Sequence, residues 1–221
     1  FGTRLFAYLD LFREPGLNLH VTTRNTVPTA AGLASSASGF AALIRAIDQL
    51  YDWRASDRDL SILARLGSGS ASRSIFPGFA EWYVGQRPDG MDSYADPIPT
   101  QWPGLCIGLV IVDDGPKPIG SRLAMQRTVE TSPLYAAWPA TVERDLRAVK
   151  AAVEMRDFAT LGEAAERNAL AMHATMIAAS PSVIYWRPAT VDVIHQVHSL
   201  RADGLPVYLT MDAGPNVKLL F

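Results

Sequence analysis

The sequence predicts an α+β fold in two domains, and three observations carry that reading. Helical and strand-like runs follow one another without the regular strand–helix–strand rhythm of a parallel sheet. A stretch rich in Pro, Gly and Asp, "PDGMDSYADPIPTQWPG" at 88–104, has the composition of a crossing between domains. The chain has 221 residues, enough for two modest cores. The expected division is 1–101 and 102–221, with the second domain opening at Trp102.

Each element has its own signal. "LNLHVTTRN" at 17–25 alternates apolar and polar residues, the pattern of a half-buried strand. From about Ser36 to Tyr51, Phe40, Leu43, Ile44, Ile47 and Leu50 recur at helical spacing. Ser56 is an N-cap for a second helix that ends at Gly67. "FAEWYVG" reads as a strand, and "LCIGLVIVDD" at 105–114 as a buried one. Long helical patterns cover about 133–155, 157–174 and 188–203. "LPVYLTMDAGPNVKLLF" closes the chain as two strand-like runs around a Gly-Pro-Asn turn. There is no internal repeat and no low-complexity tract.

Composition narrows the function classes. At 48% hydrophobic and 19% charged the chain is that of a globular protein. A net charge of −2 gives no electrostatic reason to bind nucleic acid or an anionic membrane, although local cations can still hold a small anion. Cys106 is the single cysteine, which excludes an internal disulfide and fits a reducing, cytoplasmic setting. The longest apolar run, "LCIGLVIV", is far short of the roughly 20 residues that cross a bilayer. No secretory signal pattern opens the chain, which starts at Phe1 rather than Met.

The chemistry concentrates where the first long helix begins, in "PTAAGLASSASG" at 28–39. A helix leaves its first N–H groups unpaired and carries partial positive charge at that end. Gly32 allows a close backbone approach, and Ser35 and Ser36 add hydroxyls, which together suit a phosphate. Small residues also let helices pack closely, and serines cap them, so the stretch alone is open to both readings. It is not the Walker arrangement G-x-x-x-x-G-K-[ST].

These residues resemble the phosphate loop of the GHMP kinases, P-x-x-x-G-L-x-S-S-A, and "TAAGLASSA" is similar to the diphosphomevalonate decarboxylase branch. Three further stretches match that branch in the same order: "LGSGSASRSIFPGFAEW" at 66–82, "MQRTVETSPL" at 125–134 and "MDAGPNVKLL" at 211–220. The resemblance implies a two-domain GHMP-kinase-like fold with the active site in the cleft between domains. The family's N-terminal segment, with its Lys/Tyr/Asn cluster, would precede Phe1, and elements beyond the Asp-Ala-Gly-Pro-Asn turn would largely follow Phe221. The implied reaction is the ATP- and Mg²⁺-dependent decarboxylation of mevalonate 5-diphosphate to isopentenyl diphosphate, by a cytoplasmic homodimer that engages neither nucleic acid nor membrane.

The roles the resemblance implies divide by chemistry. Asp212 takes the proton of the attacking hydroxyl, although an Asp beside Gly-Pro ordinarily bonds its own turn amides. Arg73 offers a planar fork for the substrate carboxylate. Ser36 contacts the transferred phosphate, and Gly32, Leu33, Ala34 and Ser35 complete the nucleotide cradle. Ser68 and Ser70 bond the diphosphate or carboxylate end. Ser121 and Arg122 belong to a loop, "DDGPKPIGSR" at 113–122, whose two Gly and two Pro suit a lid closing on the diphosphate.

Other candidates read as structural. His195 and His198 are three apart on a helix without a companion carboxylate or Cys at metal spacing, so no protein metal site is expected. His173 and Cys106 read as structural, and "YWRP" at 185–188 as packing. Three alternatives compete with the decarboxylase: a relative acting on mevalonate monophosphate, a small-molecule kinase that stops after phosphorylation, and a non-catalytic nucleotide-binding module. Retention of both Arg73 and Asp212 argues against a kinase, which has no carboxylate to orient.

Overall fold

A computed structural model describes residues 2–24, 35–115 and 117–221, with only the backbone described for Gly2 and Thr3. It separates into two compact units, one comprising the described residues up to Gln101 and the other Trp102–Phe221. Among the described residues no helix is long and apolar enough to cross a membrane.

The first unit contains α1 (Gly2–Leu9), α2 (Ser35–Tyr51), α3 (Asp57–Gly67), a 3₁₀ segment (Gly69–Ile75), and the strands β1 (Phe79–Trp82) and β2 (Ala95–Ile98). Its core is the apolar stripe of α2, with Phe40, Ile44 and Ile47 buried against Leu60 and Ala64 of α3 and Tyr8 and Leu9 of α1. The Ser56 hydroxyl accepts from the Asp59 N–H and caps α3, as its position before the helix predicts. At the other end of α3, Gly67 makes close packing possible: a Cβ there would stand 2.2 Å from Phe40 Cδ1. The Tyr8 ring packs edge-on against Phe40 at 5.0 Å, and its hydroxyl donates to the Leu63 carbonyl at 3.1 Å. Burial raises the pKa of that phenol.

The second unit contains β3 (Ile107–Val110), α4 (Ser121–Thr131), a short 3₁₀ turn (Tyr135–Ala137), α5 (Trp138–Met155), α6 (Phe158–Ile177), α7 (Pro188–Ala202), β4 (Tyr208–Thr210) and β5 (Val217–Leu220). The three strands form an antiparallel sheet in the order β3-β5-β4. Ala169 of α6 and Ile194 and Val197 of α7 pack against Leu209, Met211 and Val217. Helix α6 comes so close to the sheet that a Cβ on Gly162 would stand 2.1 Å from the Tyr208 ring. Two ionic networks brace the helices. The Glu166 carboxylate accepts from Arg201 and from the Leu209 N–H and pairs with His198, while Asp145, 2% exposed, accepts from Arg144, Arg167 and Asn168.

Three expectations about elements need correction. Residues 17–24 form no strand; Asn25 lies outside the described residues. Leu19 and Val21 do pack on the first core, so the alternation selects the buried face, but a strand also needs a paired edge. The stretch 88–104 is not simply a crossing, because Ala95–Ile98 pairs antiparallel with Phe79–Trp82. Pro97 is tolerated because, among the described residues, the ribbon has two strands and both are edges. Finally, β3 is not a buried strand: among the described residues it pairs with β5 alone, and Ile107 is 60% and Leu109 51% exposed.

Candidate active site

In the first unit, α2 begins at Ser35, and its first turn carries Ser35 and Ser36. Gly32, Leu33 and Ala34, the remaining expected cradle residues, lie outside the described residues. The Ser36 hydroxyl lies 3.2 Å from that of Ser68, which follows α3. Two serines predicted on different motifs therefore meet at one point. Ser70 and Arg73 sit on the 3₁₀ segment, Ser70 half-buried and Arg73 exposed. That segment is anchored from beneath by Ser61, whose buried hydroxyl donates to the Ser72 carbonyl at 3.0 Å and accepts from the Ala95 N–H at 2.8 Å. Ser72 in turn donates to the Gly69 carbonyl at 2.8 Å. The Arg73 guanidinium lies 5.8 Å from the centroid of the Trp82 ring. A fixed backbone thus carries an exposed residue with a planar cation, a group whose shape suits a carboxylate.

In the second unit, Asp212 stands just past β4, at the start of the turn that leads into β5. Its side chain is 54% exposed, whereas the residues after it are held from several sides. His173 on α6, 1% exposed, bonds the Asp212 carbonyl through Nε2 at 3.1 Å. Because a carbonyl only accepts, Nε2 carries the proton. Burial is the main influence on this imidazole and lowers its pKa, opposed by the Asp212 carbonyl and carboxylate, so the ring favours its neutral form. Lys117 donates to the Ala213 carbonyl and to the Ser121 hydroxyl, both at 2.8 Å. Thr190 at the start of α7 donates to the Pro215 carbonyl at 2.8 Å. The Asn216 amide accepts from the N–H groups of Val112 and Asp113 at 2.7 and 3.0 Å, joining the turn to the end of β3.

Charge is concentrated here. Lys218 on β5 donates to Asp212 Oδ2 at 2.7 Å. Burial, chiefly, lowers the Lys117 pKa; the Asp212 carboxylate opposes that shift and the Lys218 charge adds to it. Lys117 also lies over the Tyr185 ring at 5.6 Å. With Tyr185, Asp113, Arg187 and Pro215 it lines a shallow depression beside the turn. Arg187 pairs with Asp113 at 3.0 Å, and the bonds to Gly115 and Arg187 hold the Asp113 carboxyl below its usual pKa. Among the described residues no group of three or more His, Cys, Asp or Glu side chains is arranged to hold a metal ion.

Ser121 and Arg122 form the first turn of α4 rather than part of the preceding loop, with Gly120 as N-cap. The helix starts here because Ala124 is fully buried and its N–H bonds the Gly120 carbonyl at 3.0 Å. Lys117 ties Ser121 to the Asp212 turn, whereas Arg122 is exposed. Sequence reasoning missed Lys117 and Lys218 as members of this constellation. The second had a usable signal: the register opposes Lys218 to Thr210, so Asp212 lies diagonally across the same hairpin.

The fold and these side chains define a two-domain protein of the GHMP-kinase type. A solved mevalonate diphosphate decarboxylase from Staphylococcus aureus is 44% identical and superposes with a TM-score of 0.90, covering 99% of this chain and 67% of that one. The enzyme from Enterococcus faecalis is 42% identical with a TM-score of 0.85, at the same coverages. A third solved structure, 44% identical with a TM-score of 0.88 over 98% of this chain and 67% of its own, is a complex of MDDEF with MVAPP, AMPPCP and magnesium. The diphosphomevalonate decarboxylase of Aspergillus fumigatus is 40% identical over 210 residues, which are 93% of this chain and 52% of the relative. Residues 3–95 match the diphosphomevalonate decarboxylase-like N-terminal domain, and residues 107–221 match the mevalonate 5-diphosphate decarboxylase C-terminal domain. The chain belongs to the diphosphomevalonate decarboxylase family. It spans about half the length of the curated relatives it matches.

Proposed function

We propose that the protein decarboxylates mevalonate 5-diphosphate at the expense of ATP, yielding isopentenyl diphosphate, ADP, phosphate and carbon dioxide. One observation carries the reading: within a family of this activity, Asp212 exposes its carboxylate from a turn whose carbonyls are bonded by His173, Lys117 and Thr190. A carboxylate that bonded its own turn amides would be spent on the fold; this one faces solvent beside an ammonium. Asp212 takes the proton from the tertiary 3-hydroxyl as that oxygen attacks the γ-phosphorus of ATP. Arg73 holds the substrate carboxylate until the phosphorylated carbon loses phosphate and the carboxylate leaves as carbon dioxide. Ser36, with Ser35, contacts the transferring phosphate, while Ser68, Ser70, Ser121 and Arg122 receive the substrate's anionic groups.

Mg²⁺ bound through nucleotide phosphates needs only one or two protein oxygens. The Ser35 and Ser36 hydroxyls at the start of α2 are of that kind, and the family motif would add Gly32, Leu33 and Ala34 to the nucleotide contacts. The metal would neutralise phosphate charge. We assign residues 1–101 and 102–221 to the two family domains, and place the enzyme in the cytoplasm as a homodimer.

The test is to incubate the protein with ATP, Mg²⁺ and either mevalonate 5-phosphate or mevalonate 5-diphosphate, following ADP and carbon dioxide together. Both products from the diphosphate are expected. ADP without carbon dioxide would make the protein a kinase, and neither product, despite ATP binding, a nucleotide-binding module. Asp212→Asn should lower kcat by roughly 10² to 10⁴ with KM little changed. Turnover within about threefold of wild type would remove Asp212 from the mechanism.

A further inference from the structure

The pair formed by Asp212 and Lys218 needs an explanation that stability does not supply. An ion pair whose acid is 54% exposed is solvated and screened, and such pairs contribute little to folding. Yet the Lys218 side chain is only 18% exposed, so its stem is packed on the hairpin and the ordering of the ammonium is built into the sheet. Lys117, close by, spends its ammonium on the Ala213 carbonyl and the Ser121 hydroxyl. The two lysines therefore act on different objects. Lys117, with His173, fixes where the turn's backbone lies, and Lys218 fixes which way the Asp212 carboxylate points.

Resting on the role given to Asp212 above, we propose that Lys218 is a positioning residue, which holds Asp212 Oδ2 so that Oδ1 faces the substrate hydroxyl. A carboxylate has two equivalent oxygens and rotates freely when exposed, so an unpaired Asp212 would meet the hydroxyl in many orientations. With Oδ2 held by a packed ammonium at 2.7 Å, the carboxylate plane is set before substrate arrives. In this role Lys218 acts through Asp212. Misplacing a catalytic group by about an ångström costs on the order of 10²-fold in rate, which bounds what this residue can contribute.

The test is a double-mutant cycle in the full-length protein, read as kcat and KM with both substrates saturating in turn. Lys218→Met should lower kcat about 10- to 100-fold and move KM less than about threefold, because orientation rather than affinity is lost. Lys218→Arg, which keeps a charged donor on a long stem, should restore most of that loss. Lys218→Gln, which keeps size without charge, serves if the Met protein proves unstable, and should resemble Met. In the Asp212→Asn background, Lys218→Met should cost nothing further, since there is no carboxylate to orient. A kcat within twofold of wild type for both Met and Gln overturns the proposal. So does an equal loss in the two backgrounds, which would mark a purely structural lysine. The separate failure of Asp212→Asn to lose activity would refute the role of Asp212 itself, and the cycle tells the two results apart.

Discussion

Replacing His173 by Phe removes one hydrogen bond and nearly nothing else. The imidazole is 1% exposed, packed edge-on to Tyr185 at 6.5 Å and tilted against Trp186 at 5.3 Å, surroundings that accept a phenyl ring. What disappears is the donor to the Asp212 carbonyl. A part-buried carbonyl that loses its donor destabilises by about 1 to 2 kcal/mol, which for a chain of this size lowers Tm by about 2 to 8 °C at pH 7.5. The pH dependence identifies the cause. Burial holds the folded His173 below the ordinary histidine value of 6.5, so in the window below about 6.5 the unfolded chain binds a proton that the folded chain refuses. The stabilising contribution of the neutral ring is therefore fully present above 6.5 and is lost as pH falls through the folded pKa. The Phe variant has no such group, so the gap between wild type and variant should narrow from pH 7.5 to pH 5. Urea unfolding at intervals across that range measures it, and the buried carboxylates, common to both proteins, cancel in the difference. A gap that stays constant or widens on acidification would refute the assignment of a neutral, donating His173.

Two further outcomes follow from the first unit. Gly67→Ala would place a Cβ 2.2 Å from Phe40, itself 1% exposed, so α2 and α3 must separate; a loss of about 1 to 3 kcal/mol in thermal unfolding is expected, and an unchanged Tm would show that Phe40 yields freely. Arg73→Lys keeps the charge but loses the fork, so kcat should fall at least tenfold while Tm, set by buried groups, stays within about 1 °C; unchanged kcat would remove the carboxylate role.

How much of this was legible depends on where each signal resides. Helices α2, α3, α5, α6 and α7 bury one face each and declare themselves by apolar spacing, with Ser56 marking the start of α3. Helix α4 does not, because among "SRLAMQRTVET" only Ala124 and Thr128 are buried. Two small residues four apart make no apolar stripe. The apolar run at 105–112 misled in the opposite direction: hydrophobicity measures the tendency to leave water, whereas the position of β3 in the sheet is decided by pairing, and among the described residues β3 pairs on one side only. Pro97 likewise argued for a loop where a two-stranded ribbon accepts it.

The site shows the same division at finer scale. Asp212, Arg73 and the serines could be named as candidates from the sequence because motif chemistry fixes the residue type that each proposed task requires. Lys218 was legible in principle, since a charged pair leaves two marks in the sequence and the hairpin register relates them. The groups that hold the turn leave only one mark each. His173, Lys117 and Thr190 all bond main-chain carbonyls, at sequence separations of 39, 96 and 25 residues. A carbonyl is the same at every position, so no complementary side chain signals that a lock exists. Yet these bonds decide where the Asp212 turn lies, since they satisfy its carbonyls from elsewhere while the half-exposed carboxylate pairs with Lys218. The motif that names Asp212 is thus written in the local sequence, whereas the position of its turn is set by side chains that meet it only once the second unit has folded.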